Sequence, residues 1–112
     1  MFYTLLLLPH PVLWCLCFQY IENLEKLKKL RALNLGHNMI EKIEKLEKLP
    51  RLQELNLEDN NIKKIEGIET LGNLQTLNLS GNNLETLPAP VFRRLQRIQD
   101  LRLANNKLTS VS

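Results

Sequence analysis

Four asparagines, Asn38, Asn60, Asn82 and Asn106, follow one another at intervals of 22, 22 and 24 residues, and they are the side chains whose spacing most clearly implies chemistry. A carboxamide has two donors on nitrogen and an acceptor oxygen. At a sharp bend it can bond backbone groups that would otherwise be left unpaired inside a folded stack. Such a ladder is structural chemistry. Catalytic chemistry is not spelled out: His10 and His37 stand at no recognisable spacing from a Ser, Thr or Cys that would need a base. The four glycines form no phosphate-binding loop. The carboxylates fall on charge-rich stretches where nothing would tune them for proton transfer. Cys15 and Cys17 are one residue apart, whereas a redox pair needs two intervening residues and zinc usually takes four ligands. No catalytic residue, metal, cofactor or small-molecule substrate is expected.

The elements that must position these asparagines repeat with them. Leu33, Leu35, Asn38, Ile40 and Ile43 recur as Leu55, Leu57, Asn60, Ile62 and Ile65. They recur again as Leu77, Leu79, Asn82, Leu84 and Leu87, and then as Leu101, Leu103, Asn106, Leu108 and Val111. Each L-x-L reads as a short strand with both leucines facing one way. Between the blocks the apolar residues fall at every third position, as in Leu46, Leu49 and Leu52 or Ile68, Leu71 and Leu74. That spacing suits a tight 3₁₀-like arc. The third unit is two residues longer and holds Pro88 and Pro90, so a bulkier arc with a short helical turn near Phe92 to Leu95 is expected. No unit can bury its own apolar edge; stacking does so. The fold expected is an α/β solenoid of parallel concave strands and 3₁₀ or helical convex arcs.

Hydrophobic residues make up 44% of the 112 and charged residues 24%, which fits one small globular domain and excludes disorder. The net charge is +3, but Lys42, Lys45 and Lys48 alternate with Glu41, Glu44 and Glu47. This reads as a solvated face of mixed sign, with no nucleic-acid footprint. Shifting the frame back by 22 matches Ile43 to Ile21 and Leu52 to Leu30, but it sets Leu33 against Pro11. The division expected is therefore an apolar, uncharged non-repeat segment, residues 1–17, and a repeat domain, residues 18–112, with a partial first unit and about four units. The apolar segment could be a secretory signal, a replacement for the start of an ordinary repeat, or an apolar cap. It lacks a basic start and is broken by Pro9-His10-Pro11, and it is too short for a membrane span. The abrupt loss of register favours a replaced start. No polar-faced C-terminal cap is visible, so the expectation is a fragment that associates through open ends.

Function in such a stack belongs to the concave strands. The positions flanking the strand leucines are Ala32, Asn34 and Gly36; Glu54, Asn56 and Glu58, with Asp59 next; Thr76, Asn78 and Ser80; and Asp100, Arg102 and Ala104. From these the expected partner-binding set is Glu54, Asn56, Glu58, Asp59, Thr76, Asn78, Ser80, Asp100 and Arg102. The acidic group Glu54, Glu58 and Asp59 suits a basic helix or tail of a protein partner. Asn78-Leu79-Ser80 matches an N-glycosylation pattern, but the repeat itself generates it.

The frame L-x-x-L-x-L-x-x-N-x-I-x-x-I resembles the leucine-rich repeats of the protein phosphatase 1 regulator type over residues 18–112. The resemblance implies a right-handed curved leucine-rich-repeat solenoid and an intracellular, cytoplasmic protein. Leu33-Asn-Leu35, Ile43-Glu-Lys-Leu46, Glu54-Leu-Asn-Leu57 and Ile65-Glu-Gly-Ile68 follow a run that begins Tyr20-Ile-Glu-Asn. That series is similar to repeats of centrosomal proteins, which implies a scaffold module at the centrosome or cytoskeleton. Phosphatase regulation is a second reading, although the concave strands lack the aromatics that the resemblance would lead one to expect. A secreted or membrane-tethered ectodomain is a third, and it would need residues 1–17 as a targeting signal.

Overall fold

The computed structural model describes residues 12–13 and 28–111, with side chains over residues 28–109. The strands are β1 (Val12–Leu13), β2 (Ala32–Asn34), β3 (Glu54–Asn56), β4 (Thr76–Asn78), β5 (Thr86–Leu87), β6 (Asp100–Arg102) and β7 (Ser110–Val111), and one helix, α1 (Ala89–Arg94), lies between β5 and β6. β1, β2, β3, β4 and β6 form one parallel sheet in that order, and β5 pairs with β7 in a second. The register is flush: Leu33, Leu55, Leu77 and Leu101 are successive partners, as are Asn34, Asn56, Asn78 and Arg102. Backbone pairing continues past the strands, with the N–H groups of Leu35, Leu57 and Leu79 donating to Asn56, Asn78 and Arg102 of the next coil at 2.8 Å. The second sheet, which joins Leu87 to Val111, was not foreseen from the periodicity.

The repeating aliphatic positions form the core. Leu33, Leu35, Ile40, Ile43, Leu46, Leu49 and Leu52 of one coil are buried, as are Leu55, Leu57, Ile62, Ile65, Ile68, Leu71 and Leu74 of the next. Removing each such side chain from water stabilises the stack by about 1.5–3 kcal/mol. The last coil is less covered: Leu103 and Leu108 are only partly buried and Leu101 is 39% exposed.

Two expectations change here. The convex arcs of the first two full coils are not continuous 3₁₀ helices. They are successive four-residue turns that share their end residues, Leu49 N–H to Leu46 O and Leu52 N–H to Leu49 O, then Leu71 N–H to Ile68 O and Leu74 N–H to Leu71 O, at 3.0–3.1 Å. The helix of the third arc begins at Ala89, earlier than expected. Pro90 sits in its first turn, where the missing N–H of proline costs nothing. Within the segment set apart as residues 1–17, Val12 and Leu13 pair with Ala32 and Leu33. That pairing is offset by 20 residues, so a comparison at 22 could not find it.

Candidate functional site

The asparagine ladder is built as its chemistry requires. Asn60 Nδ2 donates to Leu57 O at 3.0 Å and Glu58 O at 3.2 Å in its own coil, and to Leu35 O of the preceding coil at 2.9 Å. Its Oδ1 accepts from Ile40 N–H at 3.0 Å. Asn82 repeats the pattern on Leu57, Leu79, Ser80 and Ile62, and Asn106 on Leu79, Leu103, Ala104 and Leu84. Asn38 donates to Leu35 O at 2.8 Å and Gly36 O at 3.2 Å. Asn38, Asn60 and Asn82 are buried. Among the described residues no buried side-chain nitrogen or oxygen lacks a partner.

A second asparagine ladder runs along the concave face. Asn34, Asn56 and Asn78 lie side by side in the sheet, and each Oδ1 accepts the backbone N–H two residues on, from Gly36, Glu58 and Ser80, at 2.9–3.0 Å. These are Asx turns that shape the end of each strand. Asn56 and Asn78, expected as partner contacts, therefore have one half of each amide committed to the fold. The fourth rung holds Arg102 in place of asparagine.

The turn that follows needs a left-handed backbone. His37, Asp59, Gly81 and Asn105 occupy equivalent positions and all have positive φ, from 55° to 71°. These are residue types that tolerate that region. A second such column, Lys45 and Gly67, lies in the convex arcs at φ 63° and 74°. Sequence reasoning missed both columns, although Asp, Gly and Asn one residue before each ladder asparagine were a legible signal.

The charges of the concave face divide into paired and unpaired. Asp59 Oδ2 lies 2.9 Å from His37 Nδ1. Its other oxygen lies over Gly81, where a Cβ would collide with it. Asp100 and Arg102 meet through two contacts, Nη2 to Oδ2 at 3.1 Å and Nε to Oδ1 at 3.4 Å. Glu54 and Glu58 make no ion pair among the described residues. The expected acidic group is thus two carboxylates without an ion pair among the described residues, Glu54 on β3 and Glu58 just past it, with Asp59 engaged beside Glu58. Thr76, Asp100 and Ser80 are half-buried, and Glu54 and Arg102 are exposed. A depression of about 330 Å³ is lined by Ala32, Asn34, Glu54, Asn56, Thr76, Asn78 and Arg102, with backbone of Leu33 and Leu55 beneath. The structure brings together Glu54, Asn56, Thr76, Asn78 and Arg102. It sets Glu58, Asp59 and Ser80 toward the turn side.

No cluster of His, Cys, Asp or Glu able to hold a metal ion occurs among the described residues, and Cys15, Cys17 and His10 lie outside them. No described helix is long and apolar enough to cross a membrane.

The family described as Leucine Rich repeats (2 copies) matches residues 28–70 and again residues 50–91, more than half of the chain. The chain belongs to the leucine-rich repeat family. Domains of this family generally mediate protein–protein interaction and are typically non-enzymatic binding modules. A leucine-rich repeat protein of Leptospira interrogans is 39% identical, with a TM-score of 0.73, over 79% of this chain and 23% of its own. An internalin of Listeria monocytogenes is 27% identical, with a TM-score of 0.65, over 80% of this chain and 30% of its own. TLR13, solved as a complex with ssRNA13, shares the fold at 23% identity and a TM-score of 0.60, over 90% of this chain and 19% of its own. The chain spans less than a third of each of these structures. No curated protein matches it.

Proposed function

We propose that this repeat domain is a protein-binding scaffold module that receives a basic helix or tail on its concave face. The observation that carries this reading is the pair Glu54, on β3, and Glu58, two residues past its end. Among the described residues they are the concave carboxylates that make no ion pair, and Glu54 lies on the depression that Ala32, Asn56, Thr76 and Asn78 help to line. Unpaired charge of one sign, exposed at Glu54 and half-buried at Glu58, steers an oppositely charged partner and sets its register. The Asx ladder holds the strand ends in place before any partner arrives, so little ordering cost falls on binding.

The finer setting is a cytoplasmic one, at the centrosome or cytoskeleton. It is supported by the resemblance of the run from Tyr20 through Glu69 to the N-terminal repeat domain of centriolin, within the protein phosphatase 1 regulator type of repeat.

The test is a titration of the full chain with a short lysine-rich amphipathic helix, followed by fluorescence anisotropy. Reversing both charges, Glu54→Lys with Glu58→Lys, should weaken binding by at least about tenfold. The same affinity in the reversed variant would remove the concave face as the docking site.

A further inference from the structure

Stacking sorts the cations of this chain in a way that its linear order conceals. Along the edge where each convex arc turns into a concave strand, equivalent positions of successive coils lie against one another. Gln53 N–H donates to Arg31 O, Gln75 N–H to Gln53 O, and Gln99 N–H to Gln75 O, at 2.7–2.8 Å. Arg97 Nη1 donates to Asn73 Oδ1 at 2.9 Å, and Asn73 Nδ2 donates to Pro50 O at 3.0 Å. The columns on this edge therefore read Lys29–Arg51–Asn73–Arg97 and Arg31–Gln53–Gln75–Gln99. Alongside them runs Lys48–Thr70–Arg94, and Lys28 precedes Pro50, Gly72 and Gln96. All of these cations are exposed, and no carboxylate stands in these columns among the described residues. Glu47 and Glu69 lie one column farther out, beside Arg93. The net positive charge of the chain is thus concentrated on one edge, next to an acidic concave face.

We propose that this edge is a second binding surface and that it takes an acidic, extended polypeptide segment running along the stack. Three observations favour a polypeptide over other polyanions. The glutamine column beside the cations offers both donors and acceptors, which matches a peptide backbone. A phosphodiester chain presents acceptors only and would leave the glutamine oxygens idle. No aromatic side chain stands in these columns to stack a base. Arg51 and Arg97 are two coils apart, roughly 10 Å at sheet spacing. In a polyproline-type segment every third residue shares a face and recurs at about 9 Å, close to the spacing of the two coils, so carboxylates at that interval are in reach of these two long, exposed side chains. Asn73 acts as a positioning residue: tied to Pro50, it holds the Arg97 guanidinium out for a two-point contact with a carboxylate.

The full chain is titrated at low salt with three probes: a labelled peptide carrying Glu at every third position, an oligothymidylate of similar length, and phosphatidylserine vesicles. The peptide should bind most tightly. Arg51→Gln with Arg97→Gln should weaken it by at least about tenfold, and Asn73→Ala by about threefold. The urea midpoint of these variants should stay unchanged, since the replaced groups are at the surface. Glu54→Lys with Glu58→Lys should leave peptide binding intact or tighter, which separates this edge from the concave site. Tighter binding of the oligonucleotide or the vesicles, no binding of any probe, or peptide binding that ignores the arginine variants would each overturn the proposal.

Discussion

Asn60 engages four backbone groups in two coils with one carboxamide. Replacing it by alanine leaves the Ile40 N–H without that partner in a dry interior, while the Leu35 and Leu57 carbonyls keep their bonds from Asn38 and Asn82. A buried group left unpaired costs about 1–3 kcal/mol, so Asn60→Ala should destabilise by about 1–3 kcal/mol in urea melts. Asn106, only half-buried in the last coil, should cost clearly less on the same substitution. Equal losses would mean that burial is not what makes the ladder matter. The left-handed columns give a second contrast. A Cβ on Gly67 would press into the Ile43 carbonyl of the coil before, and φ there is 74°. Gly67→Ala should cost about 1–3 kcal/mol. Lys45 already holds a side chain at φ 63°, at a strain of about 1–2 kcal/mol. Lys45→Gly should therefore be neutral or stabilising by up to about 1 kcal/mol, once the entropy of glycine is counted. The ladder was legible in the sequence because an amide at fixed spacing has one obvious task. The Asx turns of Asn34, Asn56 and Asn78 were not, because an asparagine beside a strand leucine looks the same whether it faces a partner or its own backbone.

At the scale of elements, β2, β3, β4 and β6 are three residues long and β1 two, too short to persist alone. Their stability comes from leucines driven into the stack on both sides. Leu57→Ala and Leu79→Ala remove side chains with no exposed surface and should each cost about 2–5 kcal/mol. Leu101→Ala, at 39% exposure, should cost under about 1 kcal/mol, and chemical denaturation of the three variants side by side checks the order. The strands could be read ahead because their leucines recur two apart. The arcs were harder. A spacing of three fits a 3₁₀ helix, but it also fits turns closed one at a time, which is what Leu46, Leu49 and Leu52 form. Pro90 looked like a helix breaker until its place in the first turn was known.

Across the whole molecule, coils contact only their neighbours, so protection of backbone amides should follow position in the stack. Hydrogen exchange should be slowest for Leu57 and Leu79, whose N–H groups bond to the next coil, and fastest on β6 and the turn after it, where Leu101, Leu103 and Leu108 are incompletely covered. Uniform protection from β2 to β6 would contradict a one-dimensional stack. The distribution of charge belongs to this scale as well. Reading along the chain, lysine and glutamate alternate and nothing stands out. Only wrapping the chain at its period brings Lys29, Arg51 and Arg97 into one column and leaves Glu54 and Glu58 on the neighbouring face. A linear scan is blind to that arrangement, because the neighbours that matter are 22 or 24 residues away.

The spacing between paired strands is 20 residues from β1 to β2, 22 from β2 to β3 and from β3 to β4, and 24 from β4 to β6, yet the register stays flush throughout. The two extra residues between β4 and β6 are taken up behind the sheet, not within it. The arc from Pro88 to Arg94 is therefore a natural place to splice an epitope or a fluorophore: added length there should bulge outward into solvent and leave the recognition columns where they are.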